Sequence, residues 1–410
     1  MKVSHHLNKM TFLLKSHVPL GRVCAKSLPA LSKLGYNNSS GSIRSFSSSS
    51  TVLRVDRHNK IVDFRSDTVT SPSRPMLETA LTARTGDDVM GKDPTVLELE
   101  AYMADLFGKE KGLFVPTGTM SNLVAIMAHC HGRASEIIIG SNSHICLWEG
   151  GNAATVAGVH TKQLPEDSQT AELSEQDIRD AFRTDIDDHW PKTEAICLEN
   201  SHNMMGGIAL PIEYMDRIGK LASELGTKVH VDGARIFNAS TALNVSAGRL
   251  CASADSVSVC LSKGLGAPAG SVLVGETEMI RLAKRARKRC GGGMRQAGVL
   301  AAMGYYAVRN NVQLLATDQA RARHLADILT DSGFVLPTAV QTNIIYFGLP
   351  ENSTITKADF VHKLDKEWGI KLGSGYTRAG AELFRVVLHL DLTDEDVEYA
   401  AKAMVQVACA

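Results

Sequence analysis

The chain has 410 residues, 44% of them hydrophobic and 21% charged, so it can bury a large core and has the composition of a globular protein. Its 44 basic and 44 acidic side chains are unevenly placed, because residues 1–55 hold eight of the basic ones and none of the acidic ones. The acidic balance that this leaves in the rest of the chain excludes a basic surface for nucleic acid, and no apolar stretch reaches the roughly 20 residues of a membrane span.

Residues 1–55 are basic, rich in serine and free of acidic side chains, which is typical of an organelle transit peptide. A cleavage site for a matrix peptidase would fit at Arg44-Ser45-Phe46, which a run of serines follows. The mitochondrial matrix is therefore the predicted location. A plastid address shares this composition, and a disordered tail on a cytosolic protein fits it as well.

From residue 56 to about residue 330, short apolar segments alternate with amphipathic ones. This alternation predicts a large α/β domain with a mostly parallel sheet that helices cover on both faces. An amphipathic run starts at Arg74, and the spacing of apolar residues predicts a helix over 95–108, with a capping box formed by Thr95 and Glu98. The predicted strands are 112–115, 136–140, 195–198, 228–231, 256–260 and 271–275, and the predicted helices are 118–131, 212–225, 234–243 and a long helical stretch over 277–331.

The last part of the chain, 331–410, changes in character and predicts a smaller C-terminal α+β domain. Its predicted strands are 343–347 and 384–388, and its predicted helices are 357–368 and 393–407. The eight cysteines of the chain are scattered without any Cys-x-x-Cys pair, so we expect buried, reduced thiols and neither zinc ligands nor disulfides.

A lysine follows the strand predicted at 256–260, in the sequence Ser262-Lys263-Gly264. A lysine at the end of a strand can point into a cleft and form an imine with a carbonyl compound. The same three residues are common on protein surfaces, so this signal is weak on its own.

Two further elements also follow strand ends, the edge at which open α/β sheets bind ligands. Asp232 ends the strand predicted at 228–231, where a carboxylate can keep the pyridine nitrogen of pyridoxal 5'-phosphate (PLP) protonated, or can simply cap the next helix. Gly118 and Thr119 lie in a turn that opens a helix, where free backbone N–H groups and the helix dipole suit a phosphate, although a plain tight turn looks the same.

The order of phosphate turn, acid and lysine along the chain resembles that of the aspartate-aminotransferase-like fold of PLP enzymes. Longer blocks are similar to signature sequences of the low-specificity L-threonine aldolases, also called L-allo-threonine aldolases, and the likeness continues in register from about Val62 to the C-terminus. The blocks are 63–70 (DFRSDTVT), 86–91 (GDDVMG), 230–239 (HVDGARIFNA) and 291–298 (GGGMRQAG).

This resemblance implies the following cofactor site. Lys263 forms the internal aldimine with PLP, Asp232 pairs with the pyridinium nitrogen, and Gly118 and Thr119 hold the phosphate. Arg295 reaches the phosphate from a neighbouring subunit, which predicts a homo-oligomer, either a dimer or a tetramer, with an active site shared between subunits.

The resemblance also implies how an amino-acid substrate binds. Ser66, Arg235 and Arg385 hold its carboxylate, since a guanidinium meets a carboxylate with two parallel hydrogen bonds, and Arg235 also lies beside the cofactor. His144 stacks on the cofactor ring, and His189 lies near the substrate hydroxyl. Either histidine, or a water held by one of them, could act as the base, and His144 is the preferred candidate.

The implied reaction is the retro-aldol cleavage of L-threonine or L-allo-threonine, bound as an external aldimine, into glycine and acetaldehyde. The alternatives are a related β-eliminating lyase and an aldolase for another β-hydroxy-α-amino acid. A protein of this fold that had lost catalysis would have a degraded site, whereas Lys263, Asp232, Arg235 and Arg385 are all present. No metal ion and no membrane or nucleic-acid partner is expected.

Overall fold

A computed structural model of the chain describes residues 61–184, 187–378 and 381–409. The predicted transit peptide, 1–55, lies outside the described residues. Within these ranges, no helix combines the length and the apolar character that crossing a bilayer requires.

After a two-residue strand, β1 (Val62–Asp63), the next seven strands form the largest sheet. The strands of this large sheet are β2 (Lys111–Val115), β3 (Ser135–Gly140), β4 (His160–Leu164), β5 (Lys192–Glu199), β6 (Lys228–Gly233), β7 (Ser256–Cys260) and β8 (Ser271–Gly275).

The large sheet is mostly parallel, as the alternation of apolar segments predicts. Its strands lie in the order β2-β8-β7-β6-β5-β3-β4, and β8 is antiparallel to both of its neighbours while the other neighbouring strands are parallel. Every residue of β3, β7 and β8 is buried, because helices cover both faces of this part of the sheet.

Fourteen α-helices lie within the described residues. They are α1 (Arg74–Leu81), α2 (Pro94–Phe107), α3 (Gly118–His129), α4 (His144–Leu147), α5 (Asn152–Thr155), α6 (Glu175–Ala181), α7 (Ile212–Leu225), α8 (Ile236–Leu243), α9 (Ala247–Leu250), α10 (Thr277–Arg289), α11 (Gly298–Asn311), α12 (Leu315–Asp331), α13 (Lys357–Trp368) and α14 (Asp394–Ala408).

The start of α2 differs from the predicted capping box. The helix is capped by Asp93, whose carboxylate accepts hydrogen bonds from the backbone N–H groups of Thr95 and Val96, both at 3.1 Å. Pro94 occupies the first helical position, where its fixed φ suits the helix and its missing N–H costs nothing. The capping box of Thr95 and Glu98 is therefore wrong.

The C-terminal part of the chain forms a second, antiparallel sheet of three strands in the order β11-β12-β9. A separate two-stranded parallel sheet pairs β1 near the start of the described chain with β10. The strands of this region are β9 (Ile344–Phe347), β10 (Ile370–Lys371), β11 (Gly373–Arg378) and β12 (Ala381–Val387).

This smaller region has its own hydrophobic core. The ring of Phe384 lies 5.3 Å from that of Phe347 and 5.0 Å from that of Phe360, and all three are fully buried, which contributes about 2 kcal/mol for each ring. Val62 and Phe64, from the start of the described chain, belong to the same core. The predicted change to a smaller C-terminal unit with its own sheet is thus seen, while the boundary at residue 331 stays a prediction.

The seven cysteines within the described residues are all free thiols, as expected. Cys130, Cys197, Cys251 and Cys260 are buried, whereas Cys146 and Cys290 are half-buried and Cys409 is exposed, so the expected burial is wrong for these three. Burial raises the pKa of the Cys130 and Cys251 thiols to about 12, which keeps them protonated and unreactive.

Candidate active site

One cavity of about 250 Å³ brings together five of the predicted site residues. Four of its lining residues follow the C-terminal ends of parallel strands, His144 after β3, Asn203 after β5, Arg235 after β6 and Lys263 after β7, and Arg385 lies in β12. The five predicted residues in its wall are Ser66, His144, Arg235, Lys263 and Arg385, and Thr68, Trp148, Asn203 and Tyr376 complete the wall.

Lys263 lies in the loop that joins β7 to the antiparallel β8. Because every residue of β7 is buried, the strand fixes the point at which this loop begins. The carbonyl oxygen of Lys263 accepts a hydrogen bond from the N–H of Gly266 at 2.8 Å and lies 3.1 Å from the hydroxyl of Thr70. The backbone of the lysine is therefore held, and its side chain reaches the cavity.

Asp232 is buried near the end of β6. Its carboxylate accepts hydrogen bonds from the backbone N–H of Ala234 at 3.1 Å and from the side-chain amide of Asn122 at 2.9 Å. The alternative role as a helix cap is wrong, because α8 begins only at Ile236 and Arg235 occupies the capping position.

His144 begins the short helix α4 and is tied to a buried glutamate. Its Nδ1 lies 2.9 Å from Oε1 of Glu149, and the amide of Asn122 donates to the same oxygen at 2.8 Å. Burial by itself would lower the pKa of His144, but the hydrogen bond with Glu149 and the charges of Asp232 and Glu199 outweigh it and raise that pKa.

His144, Glu149 and Asp232 have their potential metal-ligand atoms within 4.8 Å of one another. The amide of Asn122 donates to one oxygen of each carboxylate, and Nδ1 of His144 lies 2.9 Å from the same oxygen of Glu149. The arrangement is that of a hydrogen-bonded network.

Arg235 follows β6 and forms a buried ion pair with Asp67. Its Nε and Nη2 donate to the two carboxylate oxygens at 2.8 and 2.6 Å, and both side chains are almost fully buried. Burial alone would raise the pKa of Asp67, but the charge of Arg235 and its hydrogen bonds lower it to about 2. One edge of the guanidinium is thus committed to Asp67, and Nη1 takes no part in this pair.

Arg385 lies in β12 and is 8% exposed. Its Nη1 donates to the side-chain oxygen of Asn203 at 3.0 Å, its Nη2 donates to the carbonyl of Arg65 at 2.8 Å, and its guanidinium lies 4.7 Å from the centre of the Tyr376 ring. Its Nε is buried without a hydrogen-bond partner among the described residues. Among the described residues, no acidic side chain forms an ion pair with Arg385.

Glu199, the last residue of β5, joins two loops of the cavity wall. One of its carboxylate oxygens accepts from the backbone N–H of His144 at 2.6 Å, and the other accepts from the backbone N–H of Asn203 at 2.8 Å. Because Asn203 in turn holds Arg385, the glutamate links the histidine and the arginine of the site.

Gly118 and Thr119, at the start of α3, are outside the cavity wall. The hydroxyl of Thr117 caps this helix by accepting from the N–H of Met120 at 3.1 Å. The same helix carries Asn122, which binds Asp232. The predicted phosphate turn at Gly118 and Thr119 therefore lies one helical turn before Asn122.

Arg295 and His189 are also outside the cavity wall. The side chain of Arg295 is 62% exposed and binds Asp87 at 2.8 Å. The side chain of His189 is 90% exposed and binds Asp187 at 2.6 Å. The structure of one chain does not bring either residue to the site, and their predicted roles stay predictions.

Several residues of this site were not predicted as site residues from the sequence. Asp67 and Asn122 lie within the short sequences that carry Ser66 and Gly118, but no local pattern shows which side chains they bind. The others are Thr68, Glu149, Glu199, Asn203, Trp148 and Tyr376.

Comparison with known proteins agrees with this geometry. Residues 63–351 match the family model described as β-eliminating lyase. The low-specificity L-threonine aldolase 1 of Arabidopsis thaliana is 45% identical over 350 residues, which cover 84% of this chain and 96% of that protein.

Solved structures agree with the fold. A threonine aldolase of Leishmania major matches with a TM-score of 0.73 at 17% identity, over 85% of this chain and 99% of that one. A serine palmitoyltransferase solved with PLP matches with a TM-score of 0.65 at 17% identity, over 85% of this chain and 87% of that one. The fold is therefore that of the aspartate-aminotransferase-like PLP enzymes, and the chain belongs to the β-eliminating lyase family, among its low-specificity L-threonine aldolases.

Proposed function

We propose that the protein is a PLP-dependent aldolase that cleaves L-threonine or L-allo-threonine to glycine and acetaldehyde. The observation that carries this proposal is Arg385, a buried cation in the cavity wall with no ion-pair partner among the described residues. A buried charge without a counter-ion is costly, so the site is built to receive an anion. The carboxylate of an amino acid supplies that anion within the cavity that holds Lys263.

The residues near the cavity suit PLP. Asp232 offers a buried carboxylate to the pyridine nitrogen, Lys263 offers an amine to the aldehyde, and the start of α3 offers backbone N–H groups to the phosphate. The hydroxyl of Ser271 lies 3.6 Å from the place where a Cβ at Gly118 would be, and it is buried without a partner among the described residues. Such a hydroxyl is a ready donor for a phosphate oxygen.

When bound, PLP supplies an electron sink that takes up the electron pair of the broken Cα–Cβ bond. The protein has to fix the torsion of that bond, and Arg385 does so by holding the carboxylate from one side. Arg235 and Ser66 line the same cavity, and in this proposal they bind the carboxylate together with Arg385. Asp232 is the buried carboxylate that would hold the ring nitrogen of PLP.

The retro-aldol step also requires removal of the proton from the β-hydroxyl group. His144 lines the cavity, and Glu149 engages its Nδ1, which leaves Nε2 as the nitrogen that can take a proton. His144 is therefore the base in this proposal. His189 has no contact with the cavity of its own chain, so its role would require a neighbouring subunit.

We also propose that the chain acts as a homo-oligomer in which Arg295 reaches the phosphate bound by a neighbouring subunit. The exposure of this arginine and its place outside the cavity of its own chain support the proposal. Sedimentation of the purified protein tests it, and a species with the mass of a single chain would contradict it.

For residues 1–55 we propose a cleaved leader that directs the protein to the mitochondrial matrix. Its basic, acid-free and serine-rich composition supports this. Cell fractionation followed by N-terminal sequencing of the recovered protein tests it, and recovery of the full-length chain from plastids or from the cytosol would contradict it.

The test of the main proposal is a spectrum and a product assay. The purified protein is expected to show the visible absorbance of bound PLP, to change it on addition of glycine, and to release acetaldehyde from threonine. Release of 2-oxobutyrate and ammonia from threonine instead, the products of β-elimination of water, would favour the β-eliminating alternative. A colourless protein that stays so with added PLP, or a Lys263→Ala variant that still releases glycine, would overturn the proposal.

A further inference from the structure

A chain of hydrogen bonds links the inside of the large sheet to the histidine of the cavity. It begins at Ser256, whose hydroxyl lies 2.8 Å from Nε2 of His129 and 2.8 Å from Nδ1 of His230. Burial lowers the pKa of His129 to about 4 and that of His230 to about 3. Both rings are therefore neutral near pH 7, and each carries a single N–H.

Asn122 is the next member of this chain, and the groups around it fix the orientation of its amide. One end of the amide lies 2.9 Å from Asp232 and 2.8 Å from Glu149, and the other end lies 3.2 Å from Nε2 of His230. Two carboxylates accept hydrogen bonds, so the NH₂ group faces them and the amide oxygen faces His230. His230 must then carry its hydrogen on Nε2.

Glu149 is the point at which this chain reaches His144. Its side chain is 0% exposed. Its Oε1 accepts a hydrogen bond from the amide of Asn122 and lies 2.9 Å from Nδ1 of His144, and its Oε2 lies 3.3 Å from the amide of Asn152. Burial raises the pKa of Glu149, but all of these neighbours are donors or can be donors, and their hydrogen bonds favour an ionised, accepting glutamate. An accepting Glu149 requires the hydrogen of a neutral His144 to be on Nδ1.

We infer that Glu149 is a positioning residue that fixes the tautomer of His144, with the hydrogen on Nδ1 and the lone pair of Nε2 directed to the substrate. A histidine is a base only through its unprotonated nitrogen, so the tautomer decides whether His144 can take the β-hydroxyl proton. Asn122 has a second role in this arrangement, because it binds Asp232 and Glu149 with one NH₂ group.

This inference rests on the proposed function, since it assigns a role to Glu149 in the same reaction. The charged groups that act on His144 are Glu149, Asp232, Glu199 and Lys263. Of these, only Glu149 hydrogen-bonds the imidazole ring, because Glu199 binds the backbone N–H of the histidine.

The first test is the position of the hydrogen itself. Nitrogen NMR of the histidine-labelled protein as purified, with the His144→Phe variant used to assign the signals, distinguishes a ring nitrogen that bears hydrogen from one with a lone pair. We expect hydrogen on Nδ1 and a lone pair on Nε2 at pH 8. Hydrogen on Nε2 would overturn the inference, whether or not the protein cleaves threonine.

The second test compares two variants. Glu149→Ala removes the acceptor, and we expect kcat for threonine to fall by about 100-fold while KM and the dissociation constant of glycine stay within about threefold. Glu149→Gln keeps an oxygen that can accept from Nδ1, so it should recover part of the lost kcat. Turnover of the alanine variant close to that of the parent, or a glutamine variant no better than alanine, would contradict the role of Glu149.

Glu136→Ala is the matched control, because Glu136 is buried and binds Nδ1 of His160 at 2.7 Å outside the cavity wall. Its kcat should equal that of the parent. If the Glu149 variants do not fold, the NMR measurement on the parent decides the question. If the parent cleaves neither threonine nor a related β-hydroxy amino acid, the proposed function fails, and the NMR result still tests the pairing of Glu149 with His144.

Discussion

Asp67 and Arg235 are 168 residues apart in the sequence and meet in a buried ion pair with two hydrogen bonds, of 2.8 and 2.6 Å. The amide of Asn343 lies 3.4 Å from the same carboxylate. This pair anchors the segment that carries Ser66 to the end of β6, so it fixes the distance between two walls of the cavity.

Replacing Asp67 by Asn should destabilise the protein strongly. The substitution leaves the guanidinium of Arg235 buried without a counter-ion, which typically costs about 3–5 kcal/mol. Chemical denaturation measures the change in the free energy of unfolding. Asp216→Asn is the matched control, since Asp216 makes a similar two-bond pair with Arg249 at the surface, and it should cost much less. Equal losses in both variants would contradict the role given to the buried pair.

The same pair predicts a loss of stability in acid. The folded protein holds the pKa of Asp67 at about 2, below its ordinary value of 3.8, so folding favours the ionised form. This contribution, about 2 kcal/mol, is fully present above about pH 4 and is lost as the pH falls through 2. The free energy of unfolding should therefore fall less steeply between pH 4 and pH 2 in Asp67→Asn than in the parent protein. Parallel curves would show that the pair does not titrate in this range.

Asp318, in the first turn of α12, should act in the opposite direction. Burial raises its pKa to about 7, Arg321 at 3.7 Å offsets this only in part, and neither carboxylate oxygen has a hydrogen bond among the described residues. The folded state favours the protonated form, so this group's contribution to stability is lost as the pH rises from about 4 to 7. Asp318→Asn should be more stable than the parent at pH 8 and similar to it at low pH. The exposed Asp327 on the same helix is the control, and its Asn variant should show no such gain.

Arg385→Lys should weaken substrate binding although it keeps the positive charge. A lysine cannot offer two parallel donors to a carboxylate, and losing one charged hydrogen bond corresponds to roughly 10- to 100-fold in affinity. We expect KM for threonine and the dissociation constant of glycine to rise by that factor. Arg249→Lys, at a surface pair, should leave both constants unchanged. An unchanged KM in Arg385→Lys would exclude Arg385 as the carboxylate-binding residue.

Glu199→Gln should affect kcat and KM together. Each of its two carboxylate oxygens accepts from a backbone N–H, and a glutamine has only one oxygen to offer, so one of the two loops loses its acceptor. The loops carry His144 and Asn203, the partner of Arg385, and we expect about a tenfold loss in kcat/KM. Glu194→Gln in the same strand, where the side chain lies at 3.4 Å from Lys192, is the control. Normal kinetics in Glu199→Gln would show that the loops hold their positions without it.

The sequence predicted those residues of the site that lie in a strand or just after its end. Lys263, Asp232 and Arg385 lie in or directly after apolar segments, and the strands that position them were predicted to within a few residues. Local rules were less decisive where two of them competed. Both Asp93 and Thr95 satisfy the preferences for a helix cap, and Pro94 decides between them.

Other parts could not be predicted because they depend on contacts between distant segments. Asn122 and Asp232 are 110 residues apart, and Glu199 lies 55 residues from His144, whose backbone it holds. The strand β4 was missed because only Leu164 among its five residues is buried, as befits the edge of a sheet. β11 contains two glycines and shows no alternation of apolar residues.

The small core sets a limit on where the proposed leader could be cleaved. Val62 pairs with Ile370, the carbonyl of Phe64 accepts a hydrogen bond from the N–H of Val387 at 2.9 Å, and Ser66 follows two residues later. A peptidase that cut beyond Val62 would remove a side chain of the small core and the strand pairing with Ile370. The segment that carries Ser66 would then lose part of its attachment. If the proposed leader is cleaved, the cut must therefore fall before this residue for the enzyme to remain active.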